Sequence, residues 1–219
     1  MAEENNDTKD IAPFAITIGR QFGSGGRELG KKLAERLGID YYDKELLVES
    51  AKLAGVNPEF FEKKDERFPT FLNGLFSFSM GFSPMAYYTG ASSISDDGLY
   101  KALSDFLLST IEKKSFVVVG RSADYILRHH PRCINIFVHA PVDKCVDRIT
   151  RRSDSPDRDK ARTLAEKTNR LRAEYYNFYT DKTWGDAATY HLTIDSSTLP
   201  MDDIADIVIG YVKKKLNAK

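Results

Sequence analysis

Glycine residues cluster between positions 19 and 26, directly after a short apolar run and directly before a helical pattern. The segment Gly19-Arg-Gln-Phe-Gly-Ser-Gly-Gly26 holds four glycines in eight residues. In such a loop, backbone N–H groups converge on an anion and the positive end of the next helix faces it. A ligand-free turn is the alternative, although it needs fewer glycines. We predict a phosphate-binding loop formed by Arg20, Gly23, Ser24, Gly25, Gly26, Arg27 and Glu28.

This loop departs from the standard phosphate-loop pattern GxxxxGK[ST]. In that pattern the lysine reaches the β- and γ-phosphates and the hydroxyl residue binds magnesium. Here Gly26 stands at the lysine position, and Arg27 and Glu28 stand where hydroxyl residues are expected. Arg27 is a candidate for the missing positive charge. However, its planar guanidinium differs from the ammonium group of lysine, and from one residue further along the helix it would reach the phosphates from a different direction. Glu28 either holds magnesium or favours the positive end of the helix.

Two further charged residues follow predicted strands. Asp43 comes after the short strand 39–42, and Arg121 follows the apolar run 116–120. Charges at the carboxyl ends of parallel strands face the crevice in which ligands bind. The alternatives are a helix cap for Asp43 and a buried partner for Arg121. We predict that both side chains bind the ligand.

Strand and helix patterns alternate along most of the chain. Helical spacing covers 26–37, 97–111, 141–152 and the segment after Pro200, whereas buried strands are predicted at 14–19, 39–42, 116–120, 133–139 and 190–195. This alternation predicts an α/β fold with a mostly parallel, five-stranded sheet between two helical layers. Residues 44–95, which are aromatic and rich in serine and glycine over 68–95, are predicted to form a helical insertion on the acceptor side.

The composition excludes several classes of function. Among 219 residues, 32 basic side chains balance 32 acidic ones, so no global charge holds nucleic acid or an anionic membrane. Cys133 and Cys145 form no CxxC pair, and His129 and His130 have no further metal ligand nearby in sequence. The polar N-terminus lacks the pattern of a signal peptide. We expect a single cytoplasmic domain with a disordered tail over 1–12.

Four blocks of sequence carry a family resemblance: ITIGRQFGSGGRELGKKLAERLG, YYDKELL, FVVVGRSADYIL and INIFVHAPVDKCVDRITRR. Together they resemble the bacterial cytidylate kinase-like family, in which this glycine–arginine variant of the loop is common. The resemblance implies a P-loop NTPase-type fold and transfer of the γ-phosphoryl group of ATP, with Mg²⁺, to CMP, dCMP or a related acceptor. It places ATP on the loop, and the acceptor on Asp43, Arg121 and Asp124.

The same resemblance implies an arginine-bearing lid over residues 151–172. Arg148, Arg151 and Arg152 stand where the lid of such kinases begins, and Arg170 and Arg172 resemble arginines that close on the transferred group. With Arg27, the predicted catalytic set is Arg27, Arg152, Arg170 and Arg172. The alternative for this charged segment is a solvated pair of helices.

Two other interpretations stay open. Loss of the lysine and the hydroxyl residue is compatible with a catalytically silent nucleotide-binding or regulatory module, for which residues 68–95 are a candidate partner surface. Alternatively, the enzyme acts on a different acceptor, because a fold does not fix a substrate. The aromatic cluster Tyr175, Tyr176, Tyr179 and Trp184 is predicted to pack in the interior rather than to stack on a base.

Overall fold

The structure is a computed structural model that describes residues 12–43, 96–152 and 157–217. Most of the predicted tail and the whole insertion 44–95 lie outside the described residues. The strands are β1 (Ala15–Arg20), β2 (Asp40–Tyr42), β3 (Phe116–Val119), β4 (Cys133–His139) and β5 (Leu192–Asp195). The helices are α1 (Gly26–Leu37), α2 (Asp96–Ile111), α3 (Ala123–Ile126), α4 (Val142–Arg152), α5 (Arg158–Tyr179) and α6 (Met201–Asn217).

The five strands form one parallel sheet in the order β2-β3-β1-β4-β5. In the centre of the sheet, Ile18 of β1 lies beside Val119 of β3 and Ile136 of β4. The predicted five-stranded α/β fold is therefore confirmed. Because the strands are parallel, the ends of β1, β2 and β3 lie side by side at one edge.

Alternating residues of the sheet build two apolar layers, since successive side chains of a strand point to opposite faces. On one face Ile16, Ile18 and Val119 join a core with α1 and α6. On the other face Phe116 and Val118 pack with residues of α2 and α3. The sheet is thus a buried, rigid platform for the segments that follow its strands.

Helix α1 follows the glycine-rich loop directly. Its apolar residues recur every fourth position, so they form one face that can pack on the sheet. Leu29, Leu33 and Leu37 are all buried against the sheet. The helix ends at Gly38, which has φ +63° and caps the last turn in the left-handed conformation. This packing fixes the direction of α1 and therefore the position of its N-terminus beside the end of β1.

The described residues of the predicted lid, 151–172, lie at the end of α4 and in the first part of α5. Val146, Ile149, Ala161 and Ala165 pack between these two helices. Surface ion pairs from Arg158 to Asp147 and from Arg162 to Asp143 also join the two helices. The described part of this region is thus a helix pair, and α5 continues well beyond it, to Tyr179.

In the predicted aromatic cluster Tyr176 is buried, whereas Tyr175, Tyr179 and Trp184 are half-buried. Tyr179 stacks on Tyr100 with ring centroids 4.6 Å apart, and Trp184 lies edge-on to Phe137 at 5.3 Å. These contacts attach the end of α5 and the segment before β5 to the rest of the domain.

Candidate phosphate-binding site

The glycine-rich loop between β1 and α1 is shaped by backbone conformations that favour glycine. Gly23 and Gly25 have φ values of +81° and +86°, in the left-handed region. A Cβ atom at Gly23 would lie only 2.7 Å from the backbone oxygen of Cys145, so α4 packs directly on the loop. Gly25 is the N-cap of α1 and has no side chain to bond the first-turn N–H groups. An anion can therefore take the place of a capping side chain.

The back of the loop is fixed by hydrogen bonds from distant elements. The Arg148 guanidinium donates to the carbonyl oxygen of Ser24 at 3.1 Å and to both the hydroxyl and the carbonyl oxygen of Ser196. On the other side, the N–H of Phe22 donates to the side-chain oxygen of Asn169 in α5 at 2.7 Å. The loop is thus held by α4, by α5 and by the turn after β5. Such support preorganises a binding loop.

Four arginines from different elements gather in front of this loop. Arg20 ends β1, Arg27 lies in the first turn of α1, Arg121 follows β3 and Arg172 comes from α5. The side chain of Arg172 donates to the carbonyl oxygen of Arg20 at 3.2 Å. The positive charges of Arg20, Arg121 and Arg27 all act on the Arg172 guanidinium. We call these four residues the arginine cluster.

Burial and mutual repulsion lower the pKa values of two members of the cluster. Burial is the largest cause for Arg20, followed by the charge of Arg121, and together they lower its pKa to about 10. The pKa of Arg172 is lowered by burial and then by Arg20, Arg121 and Arg27. Tyr41 and Asp43 act on Arg20 in the opposite direction. Arg20 therefore keeps its positive charge at neutral pH, and the repulsion within the cluster favours a bound anion.

Asp43 is the carboxylate that faces the arginine cluster from the end of β2. It is buried, and one of its oxygens accepts hydrogen bonds from Arg27 Nε at 3.0 Å and from a terminal guanidinium nitrogen at 2.7 Å. The Tyr41 hydroxyl lies 3.5 Å from the same oxygen. Burial and the Asp43 charge raise the pKa of Tyr41 to about 12. Asp43, which is predicted to bind the acceptor, is thus hydrogen-bonded to Arg27 in the first turn of α1.

The turn after β3 has an unusual backbone. Gly120, Arg121 and Ser122 have consecutive positive φ values of +81°, +61° and +50°. The left-handed conformation of the latter two residues stores strain, which is common at ligand-binding sites. The buried Ser122 hydroxyl has no hydrogen-bond partner. This strained turn holds Arg121 in the cluster.

Asp124 has a different setting from Asp43. Its carboxylate accepts a hydrogen bond of 2.6 Å from the Tyr176 hydroxyl, and burial is the largest cause of its raised pKa. Tyr176 is in turn close to Tyr190, whose pKa is raised by burial and by Asp124. The structure therefore brings Asp124 to α5 rather than into an ion pair with the arginine cluster. Its predicted role in acceptor binding stays a prediction.

The remaining predicted arginines lie in exposed ion pairs. Arg152 is 3.4 Å from Glu28, and Arg170 is 3.9 Å from Glu174 in the next turn of α5. The Arg170 side chain is 71% exposed, whereas Arg172 is turned toward the loop. Glu28 therefore has a cationic partner in this structure. The predicted catalytic roles of Arg152 and Arg170 are not tested by these contacts.

Asn169, Ser196 and Tyr41 are site residues that sequence reasoning missed. Each acts through a contact that is distant in sequence or lacks a motif, such as the Asn169 bond to Phe22 across 147 positions. Arg148 was predicted as part of the lid, and the structure places it behind the loop.

Within the described ranges, no group of three or more metal-ligating side chains is found. No helix in those ranges has the length and apolar character needed to cross a membrane.

The parallel sheet, the glycine-rich loop and the cluster of cationic groups at the strand ends together define a P-loop protein with a kinase-type fold. The model of the cytidylate kinase-like family matches residues 15–198 of the chain. The protein belongs to the cytidylate kinase-like family. Among curated proteins, none matches the chain.

Three solved structures are similar to this chain. An uncharacterized protein from Eubacterium ventriosum ATCC 27560 is 30% identical, with a TM-score of 0.68 over 91% of this chain and 98% of that chain. Shikimate kinase from Acinetobacter baumannii, in complex with shikimate, is 14% identical, with a TM-score of 0.51 over 99% and 100% of the two chains. A gluconokinase from Sinorhizobium meliloti 1021 is 15% identical, with a TM-score of 0.52 over 93% and 94%. The last two show a shared fold.

Proposed function

We propose that this protein transfers the γ-phosphoryl group of ATP to a nucleoside monophosphate, with CMP or dCMP as the first acceptors to test. The observation that carries the proposal is the arginine cluster, in which Arg20, Arg27, Arg121 and Arg172 gather at the strand ends beside an uncapped helix N-terminus. Membership of the cytidylate kinase-like family supports this class of reaction. The choice of CMP or dCMP depends on the family resemblance alone.

The chemistry of phosphoryl transfer explains why arginines would be useful there. Charge spreads over the oxygens of the transferred group in the transition state, so catalysis depends mainly on positioning and on neutralising that charge. Guanidinium groups donate paired hydrogen bonds to phosphate oxygens. In this proposal the loop 19–28 binds the triphosphate, and Arg172 reaches the transferred group. Magnesium arrives with ATP as part of the substrate.

The pair formed by Arg27 and Asp43 would connect the donor and acceptor sides of the site. Arg27 lies in the first turn of α1, beside the proposed donor phosphates, whereas Asp43 follows β2, beside the proposed acceptor. A hydrogen-bonding group of the acceptor would compete for the Asp43 carboxylate and release part of the Arg27 guanidinium toward phosphate. Arg121, held by its strained turn, would bind the phosphate of the acceptor.

A coupled ADP-release assay tests the proposal when ATP and magnesium are combined with a panel of nucleoside monophosphates. Calorimetric titration of the same ligands should accompany it. We expect ADP release to be stimulated by one acceptor, which identifies the substrate. Tight ATP binding without turnover for any acceptor would contradict the proposal and favour the silent nucleotide-binding module, since the standard lysine and hydroxyl residue are absent.

A further inference from the structure

Arg20 and Gly26 occupy the two positions at which this loop departs most clearly from the standard one. Residues 20–26 have the length of GxxxxGK, but the first position is arginine and the last is glycine. The small residue and the cationic residue have therefore exchanged places. The structure explains why the two changes belong together.

The stem of the Arg20 side chain passes directly over Gly26. A Cβ atom built at Gly26 would lie 2.6 Å from Cβ and 3.1 Å from Cγ of Arg20. The 2.6 Å separation is shorter than real Cβ contacts and the 3.1 Å separation is tighter than most of them. Both involve the part of Arg20 next to its backbone, which has little freedom to move. A side chain at position 26 is thus incompatible with this path of Arg20.

The other end of Arg20 reaches the turn after β3. A methyl group at Gly120 would overlap the Arg20 guanidinium. Arg20 therefore runs from β1, over Gly26, to a second glycine beside Arg121. Its charged end lies where the ends of β1 and β3 meet, among the other members of the arginine cluster.

Charge and hydrogen bonding favour Arg20 over Arg27 as the replacement for the lysine. The Arg27 guanidinium directs two hydrogen bonds to Asp43, and its side chain is 53% exposed. Arg20 is more buried and is surrounded by the like charges of Arg121 and Arg27. A phosphate group bound there would replace repulsion by charge-assisted hydrogen bonds.

We propose that Arg20 binds the donor phosphates in place of the missing lysine, and that Gly26 is glycine because the Arg20 stem fills the space in which a side chain at 26 would begin. This inference rests on the proposed function for the identity of the ligand, a nucleoside triphosphate. It assigns to Arg20 the charge that the sequence pattern alone suggested for Arg27.

A reciprocal exchange tests this assignment by calorimetric titration of the full-length chain with ATP and magnesium. Arg20→Gly should weaken ATP binding by about 10- to 100-fold, the effect of losing a hydrogen bond to a charged group. Gly26→Lys alone should also weaken binding, because its stem collides with Arg20. The double variant restores GxxxxGK and should bind ATP within about tenfold of wild type.

Gly26→Ala is the matched control, since it adds the colliding Cβ atom without a charge. It should weaken ATP binding when Arg20 is present, and it should restore nothing when combined with Arg20→Gly. Thermal unfolding of each variant reports whether it is folded. Arg20→Gln, which keeps the stem and removes the charge, should lose ATP affinity while retaining the fold, and it replaces Arg20→Gly if that variant does not fold.

Wild-type affinity in a folded Arg20→Gly or Arg20→Gln variant would overturn the assignment, as would a double variant that binds no better than the single ones. In either case the proposed phosphoryl transfer would still stand if wild type turns over. Conversely, ATP binding that depends on Arg20, without turnover for any acceptor, would support the assignment and refute the proposed function. Absence of ATP binding by wild type would refute both.

Discussion

The arginine cluster should make the ligand-free protein less stable than it would be without one of its charges. Arg172 is the best residue with which to measure this effect, because burial and three positive neighbours lower its pKa. Arg172→Met removes the charge and keeps an unbranched side chain that can still contact the Phe22 ring, which lies 5.5 Å from the Arg172 guanidinium carbon. We therefore expect the variant to be more stable in the absence of ligand and weaker in binding ATP.

The magnitude follows from two opposing contributions. Replacing a buried ion pair by apolar side chains of similar volume stabilises a protein by about 1–4 kcal/mol in favourable cases, and we expect removal of the half-buried Arg172 charge from among like charges to act in the same direction. The lost hydrogen bond to the Arg20 carbonyl oxygen, 3.2 Å long, offsets about 1 kcal/mol. The net gain is on the order of 0–3 kcal/mol. For a chain of this size each kcal/mol corresponds to about 2–4 °C, so Tm should rise by up to about 12 °C.

The assay is thermal unfolding with and without ATP and magnesium. A ligand present at about 100 times its Kd stabilises the wild type by about 2.7 kcal/mol, and most of this gain should be lost in Arg172→Met. Arg162→Met is the matched control, because Arg162 lies on the same helix in a surface ion pair with Asp143. Such pairs contribute about 0–1 kcal/mol, so its Tm should change little. A lower ligand-free Tm for Arg172→Met together with an unchanged ATP effect would refute the reasoning.

Three further perturbations test the loop and its support. Arg148→Gln should lower the free energy of unfolding by about 2–4 kcal/mol and weaken ATP binding, because three hydrogen bonds to Ser24 and Ser196 hold the loop; calorimetry showing undiminished affinity would argue against that support. Gly23→Ala should lower the free energy of unfolding in urea by about 1–3 kcal/mol, because residue 23 has a φ of +81° and an added Cβ atom would collide with the backbone oxygen of Cys145. Wild-type stability of this variant would contradict the loop geometry. Asp124 has a raised pKa in the folded state, so that state binds the proton more tightly and wild type loses stability as pH rises from 3.8 toward that raised value. Asp124→Asn should not lose stability in this way, so its free energy of unfolding should rise relative to that of wild type as pH increases through this range. A difference between the two free energies of unfolding that does not change with pH would contradict the raised pKa.

The sequence predicted well those elements whose signals are local. The boundaries of α1 were predicted because Leu29, Leu33 and Leu37 recur at helical spacing and Gly38 follows them. The strand β3 was predicted as a continuous apolar run, and the order of strand and helix patterns predicted a parallel sheet. Each of these features is encoded by neighbouring residues.

Contacts between distant segments were beyond the reach of the sequence. The approach of Arg172 to Arg20 requires both the sheet order and the packing of α5, which no local pattern specifies. The family resemblance placed Arg148 at the start of the lid, yet its hydrogen bonds go to Ser24 and Ser196. The full extent of α5 was missed because its charged first half obscured the helical pattern.

The most direct test of phosphoryl transfer follows the phosphoryl group itself. ATP labelled with ¹⁸O in its γ-phosphoryl group is incubated with magnesium, the protein and CMP or dCMP, and the products are analysed by mass spectrometry. We expect the labelled phosphoryl group in the nucleoside diphosphate, and little transfer by Arg172→Met. Label that remains in ATP, or that appears only in inorganic phosphate across the whole panel of nucleoside monophosphates, would contradict the proposed function.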